Sequence, residues 1–420
     1  MPVFDRDQIL KEIGHCSRCG SCRVVCPTFA VTHHELRLAR GRLQLIRSWL
    51  QGHLESTREL KMMLDTCLLC GLCAHRCPNG VPVDETVIAV RQRLAQEEGV
   101  DFSKRLLLAA LGSNRFLSAW ARLLLVADRT GLRSALNDST SAIGPLVPPA
   151  VRDLAGKVPP GGAGLPARKG SSSVVYYPGC LPRYLQPQVG HATLALLGQG
   201  ITVPDTMVCC GMPAWGAGDR HQALALARSN LDLLATPEVE TIVVDCPTCA
   251  KALRSYSKWF AAEGDGARAE AARDMGARVV HIAALFQRGA VSHPVVGDGS
   301  GGLQRIFYHN PCHMNCDKGD PDPDAIGTAL VEAGLGRINP TIQGGQESSS
   351  CCGAAGSFTI FQPGLSRAVS GGKVEEIVEA GAEIIVTSCP LCRQQIESSL
   401  RREGHSLPVF HISEFLCLAR

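Results

Sequence analysis

Two stretches near the start of the chain carry cysteine at one fixed spacing. Residues 67–78 read Cys67-Leu-Leu-Cys70-Gly-Leu-Cys73-Ala-His-Arg-Cys77-Pro78, and residues 16–27 read Cys16-Ser-Arg-Cys19-Gly-Ser-Cys22-Arg-Val-Val-Cys26-Pro27. Three thiolates on a tight loop can hold three corners of an iron–sulfur cubane, and C-x2-C-x2-C-x3-C-P is the run that binds [4Fe–4S]. Four-cysteine sets with C-x2-C spacing also bind structural zinc. Zinc needs neither the third closely spaced cysteine nor the proline, so iron and sulfide are the expected occupants.

In two-cluster ferredoxins the fourth cysteine of each run reaches the other cluster. That rule assigns Cys16, Cys19, Cys22 and Cys77 to one site, and Cys67, Cys70, Cys73 and Cys26 to the other. The spacer 27–66 reads helical, with Leu36, Leu43, Ile46 and Leu50 near one face. Ser56 is expected to start a second helix, with Glu59 at capping-box distance. A third is expected over 84–97. These features resemble the all-helical dicluster ferredoxin module. Six arginines (Arg18, Arg23, Arg37, Arg40, Arg42, Arg47) read either as a solvated face or as offsets to thiolate charge. Arg40-Gly-Arg42 is the best candidate for the second role.

A second cysteine pattern begins after residue 173, where the chain repeats itself. Val174-Val-Tyr-Tyr-Pro-Gly-Cys180 matches Ile306-Phe-Tyr-His-Asn-Pro-Cys312. Cys209-Cys210-Gly211 matches Cys351-Cys352-Gly353, and Cys246-Pro-Thr-Cys249 matches Cys389-Pro-Leu-Cys392. Five cysteines per copy exceed what tetrahedral zinc can use. Vicinal thiolates can serve neighbouring irons or bridge them, and Gly211 and Gly353 would let the backbone turn beside metal. Cys-Pro-x-Cys alone would also suit a thioredoxin-like redox pair. The candidate third site is thus Cys180, Cys209, Cys210, Cys246 and Cys249; the candidate fourth is Cys312, Cys351, Cys352, Cys389 and Cys392.

β-rich runs (173–177, 241–245, 305–309, 383–387) alternate with helical ones (219–234, 248–262, 365–380, 390–402). Alternation implies α/β halves with parallel strands. The expected architecture is an α-helical dicluster ferredoxin domain followed by an α/β pseudo-twofold pair of Cys-Cys-Gly repeats. Its divisions are a helical domain with extension over 1–138, a linker over 139–172, the first repeat over 173–287, a linker over 288–304 and the second repeat over 305–420. The Pro/Gly/Ser-rich segment 139–172 reads equally well as an ordered surface strap. Of the other cysteines, Cys316 reads as a buried thiol and Cys417 as a small core residue. His281 and His411 recur between copies and read as structural. His313, beside Cys312, is a weak candidate for tuning a cluster.

The 420 residues contain 20 cysteines. They cluster in motifs behind a polar start, which points to metal rather than disulfides and to a reducing compartment such as the cytoplasm. A net charge of +3 gives no reason to expect nucleic acid as a partner. Residues 106–126 are apolar but interrupted by Arg115 and Arg122, so a helix pair on a water-soluble chain is expected rather than a span. Any membrane contact would be peripheral, at the inner face, or through a partner.

Over essentially its whole length the sequence resembles the iron–sulfur subunits of glycolate oxidase and D-lactate dehydrogenase complexes. Similar architecture occurs in the C subunit of anaerobic glycerol-3-phosphate dehydrogenase and the D subunit of heterodisulfide reductase. Residues Ala39-Arg-Gly-Arg-Leu-Gln-Leu-Ile-Arg47 look most like the hydroxy-acid group. The resemblance implies an oxidoreductase subunit that passes electrons from a flavoprotein dehydrogenase of glycolate or D-lactate to a quinone, cytochrome or other carrier. No G-x-G-x-x-G follows a strand, so FAD is expected on the partner. Complete five-cysteine motifs hold noncubane [4Fe–4S] clusters in heterodisulfide reductases, and both are complete here. A thiol–disulfide reductase is therefore the alternative reading.

Overall fold

The computed structural model describes residues 5–131, 164–291, 305–315, 323–332, 337–338 and 351–418. Cys316 and residues 132–163 lie outside them.

Residues 5–131 are built from helices, without strands. Helix α1 (Arg6–Gly14) is capped by Asp5, whose carboxylate accepts from Asp7 N. Short helices α2 (Cys22–Val25) and α3 (Pro27–Thr32) follow the first cysteine run. In α4 (Ala39–Leu50), Leu43, Ile46 and Leu50 are buried as the spacing predicts. Leu36 departs from that prediction: it sits on a 3-10 turn, Glu35–Arg37, and is 38% exposed. Helix α5 (Arg58–Asp65) begins one residue later than expected, because Thr57 accepts from Leu60 N while Ser56 turns to Glu98. Then come α6 (Leu72–His75), α7 (Val83–Glu98), α8 (Phe102–Gly112) and α9 (Asn114–Arg129).

The remainder holds two small parallel sheets. In the first, β1 (Val174–Tyr177), β2 (Thr241–Val244) and β3 (Val279–His281) lie in that order. Helices α10 (Pro187–Leu197), α11 (Met212–Ala217), α12 (Arg220–Leu234), α13 (Pro247–Ala261) and α14 (Gly266–Ala277) connect them, and α15 (Ile282–Gln287) follows. In the second sheet, β4 (Arg305–His309), β5 (Arg337–Ile338), β6 (Ile384–Thr387) and β7 (Val409–His411) lie in the order β5-β4-β6-β7. Its described helices are α16 (Cys312–Asn315), α17 (Pro323–Glu332), α18 (Phe358–Phe361), α19 (Pro363–Glu379), α20 (Pro390–Arg402) and α21 (Ile412–Leu418). Parallel neighbours need crossovers, and the helices supply them. The strands are mostly apolar, in keeping with cover on both faces. Three of the four edge strands, β3, β5 and β7, are only two or three residues long. Runs that short carry no readable periodicity.

One hydrophobic core runs through both sheets, from Tyr176 and Val243 to Phe307 and Ile385. Polar contacts cross it as well. Thr193 Oγ1 lies 2.8 Å from Ser413 Oγ, and Gln186 Nε2 donates to Pro390 O at 3.0 Å. His411 Nε2 lies 3.1 Å from Asp245 O. His411 Nδ1 accepts from Ser413 N and His281 Nδ1 from Ala283 N, so each ring starts its last helix. Residues 164–172 pack as a strap: Leu165 is buried, and Arg168 pairs with Val203. Cys417 lies against the core, its thiol 3.4 Å from Ala192 O.

Candidate metal centres

Cys16, Cys19, Cys22, Cys73 and Cys77 line one cavity of about 30 Å3, and Cys22 also neighbours Cys26. Asn79 Nδ2 donates to His15 O at 2.9 Å and ties the second run to the start of the first. Cys73 neighbours Cys67 and Cys26, and Cys70 neighbours Cys73. Burial holds Cys70 and Cys73 well above the ordinary thiol range, with neighbouring thiols adding to it. Such groups are poor as isolated thiolates and call for a cation.

Two arginines stand beside them. Arg42 is only 2% exposed; it donates to Thr28 and Thr66 hydroxyls at 3.1 and 3.0 Å, and its Nε has no partner. It lies close enough to Cys73 to favour the thiolate. A buried guanidinium bonded to neutral hydroxyls needs negative charge nearby, and thiolate-bound metal would supply it. Arg40 lies near Cys22 and Cys16 but is half-buried and paired with Glu35. Arg91 donates to the carbonyls of Leu64, Cys67 and Gly216, joining the second cysteine run to α11.

In each repeat the five cysteines arrive from strand ends and helix starts. Cys180 and Cys312 follow β1 and β4; Cys246 and Cys389 follow β2 and β6 and open α13 and α20. Gly211 and Gly353 take φ of +78° and +81°, turning each Cys-Cys pair inward. All ten thiols are joined in one chain of contacts. Cys180 meets Cys209, which adjoins Cys210; Cys210 meets Cys249, and Cys249 meets Cys246. From the other end Cys312 meets Cys351, which adjoins Cys352. Cys352 lies 3.2 Å from Cys392, and Cys392 meets Cys389. The two sets join where Cys246 touches Cys389. No disulfide joins any described cysteine.

Three of these thiols are favoured as thiolates. Cys210 is brought down to about 6, chiefly by hydrogen bonds from Cys209 and Cys249. Cys246 is lowered by Cys249 and Cys389, and Cys352 by Cys351 and Cys392. Their neighbours are correspondingly raised. Crowded, buried and unoxidised sulfur of this kind fits soft metal ligation.

The second set also borders the N-terminal part. Leu68, Cys70 and Leu72 pack with Cys351, Phe358 and Val369. His313 is half-buried between them, its Nδ1 2.8 Å from Thr248 Oγ1 and its Nε2 3.1 Å from Leu69 O. Burial, with Lys251 nearby, pushes His313 down to about 4, so it is neutral. Lys251 Nζ donates to Asp84 Oδ2 at 3.0 Å; burial raises that carboxyl, but Lys251 outweighs it and holds it below the usual range. A cavity of about 170 Å3 runs past these groups from Cys67 to the second set.

One residue was missed by sequence reasoning. A ring nitrogen of His309 lies within 4.8 Å of the Cys352 and Cys392 sulfurs, and its Nε2 has no partner. The signal was present in the repeat alignment, where Tyr177 stands opposite His309.

The comparisons agree with this layout. A 4Fe-4S dicluster domain matches residues 12–81, and a cysteine-rich domain (CCG) matches twice, at 174–254 and 306–397. The glycolate oxidase iron-sulfur subunit of Escherichia coli is 26% identical over 408 residues, covering 95% of this chain and 92% of its own. Lactate utilization protein A of Exiguobacterium is 28% identical over 258 residues, covering 58% of this chain and 96% of its own. The D subunit of the dihydromethanophenazine:CoB–CoM heterodisulfide reductase of Methanosarcina acetivorans is 24% identical over 417 residues, covering 92% of this chain and 89% of its own. The chain thus carries a 4Fe-4S dicluster domain and a pair of cysteine-rich domains, and it resembles iron–sulfur subunits of oxidoreductase complexes.

Proposed function

We propose that this chain is the electron-transfer subunit of a flavin-dependent 2-hydroxy-acid dehydrogenase, of the glycolate or D-lactate class. Cys16, Cys19, Cys22 and Cys77 would hold one [4Fe–4S] cluster, and Cys67, Cys70, Cys73 and Cys26 another. The sets around Cys210 and Cys352 would hold one noncubane cluster each, in a pseudo-twofold unit spanning 173–287 and 305–420. When bound, such clusters supply one-electron carriers. FAD would sit on the partner, and a quinone or other carrier would take the electrons, at the cytoplasmic side.

The observation that supports this reading is continuity. Cys73 lines the cavity of Cys16, Cys19, Cys22 and Cys77, Cys70 stands beside Cys351 and Cys312, and Cys246 stands beside Cys389, so clusters held by the four proposed sets would lie along one path. Arg42 and Arg91 offset thiolate charge at its start, and neutral His313 holds the junction without adding charge.

The complex purified from native extract under anaerobic conditions tests the reading. Co-purification of a flavoprotein with hydroxy-acid:dye activity supports it. Disulfide turnover by this chain alone, fed by a reduced dye, would favour the heterodisulfide-reductase-like alternative. That second reading is kept because both five-cysteine sets are complete and the cavity of about 170 Å3 opens on the second.

A further inference from the structure

Helices α8 and α9 hold none of the cysteines, yet they are fixed firmly to the body. Gln222 Nε2 donates to Leu108 O, and Asn114 Nδ2 donates to Met207 O at 2.6 Å. On the inner side of α9, Leu117 and Ala121 are buried against Tyr184, and Cys180 packs into the same cluster. The outer side is different. Phe116, Trp120, Leu123 and Val126 are exposed, Leu123 by 58% and Val126 by 56%. Their spacing of four, three and three puts them on one arc of the helix. The Phe116 and Trp120 rings stack, with centroids 6.3 Å apart and planes 7° apart. Phe102 and Leu106 are likewise exposed on α8.

Charge runs along the same arc. Arg115, Arg122 and Arg129 are exposed and recur every seven residues, which places them in one row beside the apolar arc. Residues 101–131 hold five basic and two acidic side chains, so their net charge equals the +3 of the whole chain. A docking protein could complement either sign; a one-signed row along an aromatic and aliphatic arc matches an anionic bilayer surface. A span is not the explanation, because no helix among the described residues is long and apolar enough to cross a membrane.

We propose that α9 lies in the headgroup boundary of an anionic lipid bilayer, with Phe116, Trp120, Leu123 and Val126 inserted and the arginine row on the lipid phosphates. The inner face of the same helix backs onto Cys180. The first repeat therefore stands behind the membrane-facing surface, where a lipid-soluble acceptor would arrive. This last step rests on the electron-transfer reading; the bilayer contact does not.

The test is sedimentation of the full, anaerobically reconstituted chain with vesicles. Phosphatidylcholine mixed with phosphatidylglycerol is compared with phosphatidylcholine alone. Binding to the anionic vesicles should be at least about tenfold tighter and should weaken with salt. The triple variant Arg115→Gln, Arg122→Gln, Arg129→Gln should remove that preference. Trp120→Ser with Leu123→Ser should abolish binding to both, with iron content unchanged. If the double-serine variant loses iron, the milder Leu123→Ser must still weaken binding. Failure of the wild-type chain to sediment overturns the proposal. So does undiminished binding by the variants. If the substitutions instead disrupt self-association or capture of the flavoprotein, the face belongs to a protein and the proposal falls. None of these readouts requires electron transfer, so a failed dehydrogenase reading would leave the result intact.

Discussion

In the first repeat the strand before the cysteine turn ends in Tyr177; in the second it ends in His309. The Tyr177 hydroxyl donates to Val208 O at 2.6 Å. Asn230 donates to Cys209 O, and Tyr256 to Cys210 O. The first Cys-Cys pair is therefore clamped by its own repeat. In the second repeat a ring points into the thiols and its Nε2 has no partner. Surroundings differ too: the second set faces the N-terminal cysteines, and the first backs onto α9. One sequence pattern thus provides an inward site and an outward site, and the residues between the cysteines decide which is which.

The strongest way to break this comparison is to remove one site at a time. Cys352→Ser and Cys210→Ser should each cost roughly four irons and leave the N-terminal eight in place. Their electron-transfer phenotypes should differ. Without the second site, reduction of the first by the N-terminal clusters should be lost. Without the first, reduction of the second should proceed as before. Iron analysis and stopped-flow reduction check both. Equal phenotypes would mean that each repeat reaches the N-terminal domain independently.

The next test concerns how that domain is attached. Lys251→Met leaves Asp84 buried without its cation and should cost about 3–5 kcal/mol, read as a lower unfolding midpoint. His313→Phe removes neutral bonds to Leu69 O and Thr248 and should cost about 1–3 kcal/mol. A smaller penalty for Lys251 than for His313 would reverse the assignment of the main staple. Gly179→Ala probes the first site alone. Gly179 has φ +67°, and a Cβ there would lie 2.9 Å from Cys249 Sγ. The left-handed backbone adds about 1–2 kcal/mol for any other residue. Altered spectra at the first site and not the second are expected; the matching position in the second repeat is Pro311.

How much of this was legible in the sequence follows from range. Within each motif the cysteines lie a few residues apart, and β1, β2, β4 and β6 are mostly apolar runs of four or five residues, so both could be read directly. Ser56 and Thr57 are equally good caps on paper; the position of Glu98 decided between them. Leu36 fitted the helical period, but the chain turns before α4, where a Cβ on Gly41 would strike Glu35 O at 2.1 Å. The contact of Cys246 with Cys389 spans more than a hundred residues and crosses the repeat boundary. No local pattern encodes such a meeting. The outer face of α9 was visible only as interrupted hydrophobicity, because exposure is a property of the packed chain.

The smallest expected effect separates packing from tuning at the two strand ends. Tyr177→Phe deletes the hydrogen bond to Val208 O and a longer one from Asn230 Nδ2, and should cost about 1–2 kcal/mol of stability. It should leave both reduction potentials unchanged, since the hydroxyl donates to a main-chain carbonyl, Val208 O. His309→Phe should behave in the opposite way. Burial, with Lys373 nearby, pushes His309 down to about 3, so the ring is neutral across the physiological range. Replacing it removes an unpartnered buried nitrogen, and stability should hold or rise. Yet it also removes a polar ring beside Cys352 and Cys392, and polar contacts to cluster ligands help set potential. A redox titration followed by paramagnetic resonance should show a shift at the second site and none at the first. If both potentials stay fixed, His309 only fills space, and the two strand ends differ in packing alone. If both move, the thiol contact between Cys246 and Cys389 couples the repeats too tightly for either to be tuned by itself.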